Sequence, residues 1–188
     1  MLKIDDNANY KIETIINNDD RHQLIDLFNS MQPLFAEQDY NLNLVDKRNL
    51  KSHHPRIDAI KKIEQRAGRE TYSHYFVMYK PGSFTRLHTD NADDVGLTIV
   101  TMVDVVNLVG GETLVLIPRD PNDPNIEKRK EGQGGGIKKG TIAKGQSVIP
   151  KIVKCNTGES MIYDRNLTHG VTYVEEGMRL VFVSWFKK

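Results

Sequence analysis

At Thr71 the residue pattern of this chain changes period, and that change constrains the fold more than any other feature. Downstream, Tyr72–Tyr79, Gly96–Asn107, Thr113–Pro118, Ser160–Tyr163, Val171–Val174 and Arg179–Phe186 are short segments rich in Val, Ile, Thr and aromatic residues, with turn formers between them. Branched and aromatic side chains suit a pleated, half-buried surface, so each segment is expected to be a strand. Upstream, the period is helical. In Asn18–Met31 a capping residue and an acidic first turn lead into Leu24, Ile25, Phe28 and Met31 on one face. Residues 55–67 repeat the scheme, with Pro55 suited to a first turn, an Ile57, Ile60 and Ile63 stripe, and Gly68 suited to the stop. The expected architecture is mainly β with N-terminal helices. It is read as a single domain over residues 1–188, with 1–70 as a helical support layer and 71–188 as the β core.

Residues 119–147 interrupt the β pattern with Asp120-Pro-Asn-Asp-Pro124 and Gly132-Gln-Gly-Gly-Gly136. A Gly-rich insertion of this length is either a solvated excursion or a functional loop. Lys128, Arg129, Lys130, Lys138, Lys139 and Lys144 outnumber Glu127 and Glu131 there, which would suit a lid facing an acidic substrate. The glycines lack the strand–loop–helix setting and the following Lys-Ser or Lys-Thr of a phosphate loop.

The chain has 188 residues, 38% of them apolar and 27% charged, enough to bury a core. Its net charge of +1 gives no global field toward nucleic acid or membrane. Cys155 is the one cysteine, so no internal disulfide can form and a reducing compartment is expected. It has no obvious catalytic partner in sequence and is read as a small core residue. The N-terminus lacks the apolar run of a secretion signal, and no stretch approaches the ~20 apolar residues of a membrane span. A cytoplasmic protein is expected. No sequence feature sets an oligomeric state.

The chemistry concentrates in His88-Thr-Asp90, His169 and Arg179. On a strand, positions i and i+2 share a face, so His88 and Asp90 can grip one ion together. A third ligand must come from elsewhere, and His169, entering another β segment, is the best candidate. Two imidazoles and a carboxylate cap one face of iron(II) and leave the opposite positions open. The same set with a bound water would also suit a zinc hydrolase. Arg179 lies in the apolar run Met178-Arg-Leu-Val-Phe-Val, where a charge is costly unless paired. Its planar fork suits a carboxylate. His22, His53 and His54 are weaker ligand candidates, and His74 is a candidate substrate contact.

In order, Tyr79-Lys-Pro-Gly82 leading to His88-Thr-Asp90, Leu97–Val103, Gly110-Gly-Glu-Thr113, Gly158–Tyr163, His169, Arg179 and Trp185 resemble the 2-oxoglutarate/Fe(II)-dependent dioxygenase superfamily, in particular its prolyl 4-hydroxylase-like branch. The resemblance covers roughly residues 72–186. It implies a double-stranded β-helix, the jelly-roll or cupin-like core. It also implies that His88, Asp90 and His169 bind Fe(II), that Arg179 pairs with the distal carboxylate of 2-oxoglutarate, and that Tyr79 and Thr113 hydrogen-bond that co-substrate. Trp185 is read as packing. The implied activity consumes O2 and 2-oxoglutarate, with ascorbate as a candidate reductant, and hydroxylates an amino-acid C–H bond with release of succinate and CO2. Related halogenases lack a carboxylate at the position of Asp90, so its presence argues for hydroxylation. Met102-Val103, Val95-Gly96 and Lys187 depart from the prolyl hydroxylase pattern, including its peptide-gripping arginine. Val105–Glu112 and Asp164–Val171 are also similar to hydroxylases of free amino acids. The expected partner is therefore a free amino acid or a peptide. The alternatives are a non-catalytic jelly-roll binding module and the zinc hydrolase.

Overall fold

The computed structural model describes residues 10–32, 34–37, 44–50, 57–90, 94–118 and 148–188. The basic, Gly-rich stretch 119–147, and with it the choice between lid and excursion, lies outside the described residues, as do Pro55, His53 and His54.

Among the described residues, eleven strands and two helices follow in the order β1 (Tyr10–Thr14), α1 (Asn18–Ser30), β2 (Leu34–Glu37), β3 (Leu44–Leu50), α2 (Asp58–Ala67), β4 (Thr71–Tyr79), β5 (Thr85–His88), β6 (Val95–Gly110), β7 (Thr113–Pro118), β8 (Val148–Val153), β9 (Glu159–Asp164), β10 (Thr168–Val171) and β11 (Val174–Lys187). They form a seven-stranded sheet, β1-β9-β6-β11-β4-β3-β2, and a four-stranded sheet, β5-β10-β7-β8. Every pairing is antiparallel. Two antiparallel sheets enclosing a shared interior are the jelly-roll arrangement that the family resemblance implied, and they agree with the β core expected from the strand pattern.

The helices cover the outer face of the large sheet. Period-2 alternation lets each central strand serve two cores. On β11, Leu180, Phe182 and Phe186 face the helices and pack with Leu24, Phe28, Ile60 and Ile63. Between them, Val181 and Val183 face the small sheet. β4 does the same, with Phe76 outward and Tyr75, Val77 and Tyr79 inward.

Both expected helices form, with shifted ends. The cap of α1 is Asn17 rather than Asn18: its side chain accepts from the Asp20 backbone at 2.9 Å, and Asp20 reaches back to the Asn17 N–H at 2.9 Å. Asp20 is buried and also meets Lys62 at 2.7 Å, which ties α1 to α2. α2 ends at Gly68, whose left-handed φ of 60° suits a glycine.

Two expectations need correction. Residues 1–70 are not purely a helical layer, since β1, β2 and β3 add to the large sheet. The segment expected over 171–174 is divided between β10 and β11, so His169 sits within a strand rather than before one. None of the described helices is long and apolar enough to cross a membrane.

Candidate active site

β5 and β10 run side by side with His169 opposite His88. Gly170 makes this closeness possible: a Cβ there would lie 2.7 Å from the Thr85 carbonyl oxygen. His88, Asp90 and His169 consequently present ligand atoms that all lie within 4.8 Å of one another. His88 Nε2 is 3.6 Å from Asp90 Oδ1, and His169 Nε2 is 3.8 Å from the same oxygen.

The far side of each ring is anchored. His88 Nδ1 donates to the Arg86 carbonyl at 2.8 Å, and His169 Nδ1 donates to the Leu167 carbonyl at 3.0 Å. Those bonds select the tautomer that leaves each Nε2 lone pair facing Asp90. Thr98 donates to Asp90 Oδ2 at 2.7 Å and leaves Oδ1 for the centre. Burial alone would raise the Asp90 carboxyl. Contact with His88, the charges that His169 and His88 carry when protonated, and the Thr98 hydrogen bond outweigh it and hold the group at about 2. Asp90 is thus a carboxylate at neutral pH. Burial lowers His169, whereas at His88 the Asp90 contact overcomes burial and raises the imidazole.

Arg179 points inward from β11, beside Tyr79 on β4 in direct register. It is 3% exposed. Nη1 donates to the Gly111 carbonyl at 2.5 Å, both terminal nitrogens reach Thr113 Oγ1 at 3.3 Å, and the guanidinium lies 5.2 Å from the Tyr79 ring centroid. Among the described residues no carboxylate pairs with it, and its Nε is buried without a hydrogen-bond partner. A buried cation without a counter-charge costs several kcal/mol, so the site is built for an anion.

The Gly110-Gly-Glu-Thr113 turn sets this end of the pocket. Gly110 and Gly111 both have positive φ, 74° and 67°. Glu112 bonds to Thr172 through backbone and side chain, holding the turn against the β10–β11 connection. Tyr79 shares a hydrogen bond with Thr85 at 2.9 Å, and burial raises its phenol.

All six candidate residues, His88, Asp90, His169, Arg179, Tyr79 and Thr113, line one pocket between the sheets. It holds about 800 Å³ of atom-free space, mouth included. The donors fit an octahedral ion such as Fe(II), with two imidazole nitrogens and one carboxylate oxygen on one side and the pocket on the other. Arg179 fits the far carboxylate of a dicarboxylate chelated there.

Other expectations resolve differently. His74 is not a substrate contact. It is fully buried on the helix-facing side of β4, stacked 5.3 Å from Phe182 and bonded to Ser184 at 2.9 Å and Glu64 at 3.2 Å. His22 is exposed on α1. Trp185 packs edge-on against Tyr75 at 5.4 Å, as read. Cys155 is more than filler, for it lines the pocket. Burial pushes its thiol up to about 11, which makes it a poor nucleophile. Sequence reasoning missed Thr85 and Tyr163 as pocket residues and Thr98 as the partner of Asp90. Alternation alone could have found Thr98 and Tyr163, since each shares a strand face with inward neighbours.

No protein-family model matches the sequence, and no curated protein matches it either. Solved structures do. An oxidoreductase of the 2OG-Fe(II) oxygenase family from Burkholderia pseudomallei superposes with a TM-score of 0.65 at 12% identity, over 95% of this chain and 85% of that one. A Pseudomonas putida prolyl-4-hydroxylase gives 0.61 at 15% identity, over 96% and 92%. The α-ketoglutarate-dependent epimerase SnoN from nogalamycin biosynthesis gives 0.63 at 13%, over 96% and 78%. The fold is that of the prolyl-hydroxylase-like 2-oxoglutarate/Fe(II) oxygenases. Identities this low carry the fold and leave the reaction to the site.

Proposed function

We propose that this protein is a 2-oxoglutarate- and Fe(II)-dependent dioxygenase that hydroxylates a C–H bond of an amino acid, either free or as a peptidyl proline. The observation that carries this reading is Arg179, a buried cation that pairs with no carboxylate among the described residues, in the pocket that holds His88, Asp90 and His169. A zinc hydrolase has no use for that arginine.

Each residue has a task in this account. His88, Asp90 and His169 would hold Fe(II), and their hydrogen bonds to Arg86, Leu167 and Thr98 orient them in advance. Arg179 would bind the distal carboxylate of 2-oxoglutarate, with Thr113 and Tyr79 completing the end of the pocket. Bound iron supplies O2 activation coupled to oxidative decarboxylation of 2-oxoglutarate to succinate and CO2. Val77, Val100, Val181 and Val183 exclude water from that chemistry. Asp90 would be the carboxylate ligand whose absence in related halogenases makes room for a halide, which favours hydroxylation.

The test is a screen of free amino acids and proline-rich peptides for substrate-stimulated decarboxylation of 2-oxoglutarate. A stimulating compound that returns one oxygen heavier supports the reading. Tight 2-oxoglutarate binding without any turnover would instead favour a jelly-roll binding module.

A further inference from the structure

Thr85 opens β5, lines the pocket, and places its Oγ1 2.9 Å from the Tyr79 hydroxyl. Neither hydroxyl has another hydrogen-bond partner among the described residues. This bond is not what shapes the turn between β4 and β5. The Gly82 N–H donates to the Val174 carbonyl at 2.9 Å, and the Val174 N–H donates to the Ser83 carbonyl at 2.9 Å. Ser83 also closes on Lys80, through its backbone at 2.9 Å and its side chain at 3.1 Å. Gly170 packs against the Thr85 carbonyl, so the backbone at Thr85 is held from β10 as well. Branching at Cβ then leaves the hydroxyl few directions.

Each hydroxyl carries one proton, and the bond between them uses one of the pair. The other proton sits on whichever residue accepts. Tyr79 faces Arg179 in direct register, with the guanidinium 5.2 Å from its ring centroid. A carboxylate held by Arg179 can only accept. It therefore takes the phenol proton, and Thr85 becomes the donor to the Tyr79 oxygen. The chain from Thr85 through Tyr79 to the anion runs one way, and each bond polarises the next. The reverse order would turn a Tyr79 lone pair toward the anion and repel it.

We propose that Thr85 is a positioning residue for the co-substrate end of the pocket, whose hydroxyl donates to Tyr79 and turns the phenol proton toward the distal carboxylate. The inference rests on the reading of Arg179 as a carboxylate anchor and adds to it a residue that acts through Tyr79 alone. The hydroxyls rotate and no proton changes owner.

The test reads binding rather than turnover. Wild type, T85V, T85S, Y79F and the T85V/Y79F double variant are loaded with Zn(II), a redox-inert probe. Each is titrated by calorimetry with 2-oxoglutarate and with 2-oxopentanoate, which lacks the distal carboxylate. T85V is expected to weaken 2-oxoglutarate by about 2- to 10-fold, the range of one neutral hydrogen bond, while T85S restores affinity to within about two-fold of wild type. In the Y79F background T85V should cost nothing further, because the two hydroxyls act as one unit. Wild type and T85V should bind 2-oxopentanoate alike, which also shows that T85V is folded. The role of Thr85 is overturned if T85V matches wild type toward 2-oxoglutarate, costs as much without the Tyr79 hydroxyl as with it, or weakens both keto acids equally. Wild type that takes up no Zn(II), or binds both keto acids equally, overturns the site reading beneath it.

Discussion

Arg179 is a buried charge that pairs with no carboxylate among the described residues. Its hydrogen bonds to Gly111 and Thr113 fix the direction of the guanidinium without balancing its charge. Replacing it with glutamine should leave the fold intact and remove a charge-assisted pair worth about 1.5–3 kcal/mol. The apparent affinity for 2-oxoglutarate should fall by roughly 10- to 150-fold while metal affinity stays near wild type. Equilibrium titration with each component separates the two effects, and equal weakening of both would point to structural damage. Asp90 makes a second prediction. Its folded value of about 2 lies below the ordinary 3.8, so the stability it contributes is present above that ordinary value. It is lost as pH falls toward 2, and amounts to about 2 kcal/mol. Urea unfolding of metal-free protein across this window should show the loss, with a flatter profile in D90N. These residues were legible in the sequence because chemistry marks them: a His-x-Asp step, a second histidine and a charge in an apolar strand. Tyr163 and Thr98 were legible only as inward-facing strand positions, because a tyrosine or threonine is a usual occupant of a strand and its type alone marks no site.

At the scale of elements, the site depends on how closely β5 and β10 approach. Gly170 permits the contact, and an alanine there would meet the Thr85 oxygen at 2.7 Å and the Arg86 carbonyl carbon at 3.1 Å. G170A should therefore push β5 outward and part His88 from His169. The expected cost is about 1–3 kcal/mol in stability and at least about ten-fold in metal affinity, read by thermal unfolding and calorimetric metal titration. Unchanged metal affinity would show that the approach can relax without harm. The strongly patterned elements were legible in the sequence: α1 and α2 by their apolar stripes, and β4, β6, β7 and β11 by their branched and aromatic runs. β2 and β3 were not. They lie at one edge of the large sheet, and the Leu44–Leu50 segment, LVDKRNL, carries charges where a central strand carries valines. β5 was hidden differently. Its four residues, TRLH, are too few to show alternation, and their hydrogen-bonding partner lies some eighty positions downstream.

Across the whole molecule, one sheet performs two jobs. The outward face of β4, β6, β9 and β11 is sealed by helices through Phe76, Ile99, Ile162 and Phe182, and the inward face carries Tyr79, Met102, Tyr163 and Arg179. Alternate residues of the same strands therefore encode the core and the pocket. This is why a mainly β core could be read from strand periodicity and its jelly-roll form came from the family resemblance, while the shape of the pocket waited for the pairing of the sheets. The central claim is that this pocket joins a three-residue metal centre to a carboxylate anchor for 2-oxoglutarate. It is tested most directly by succinate formation from 2-oxoglutarate in air, with and without added Fe(II), for wild type and D90A. The account predicts iron-dependent succinate from wild type and none above background from D90A. Equal succinate from both proteins, or wild-type turnover indifferent to Fe(II), would contradict it.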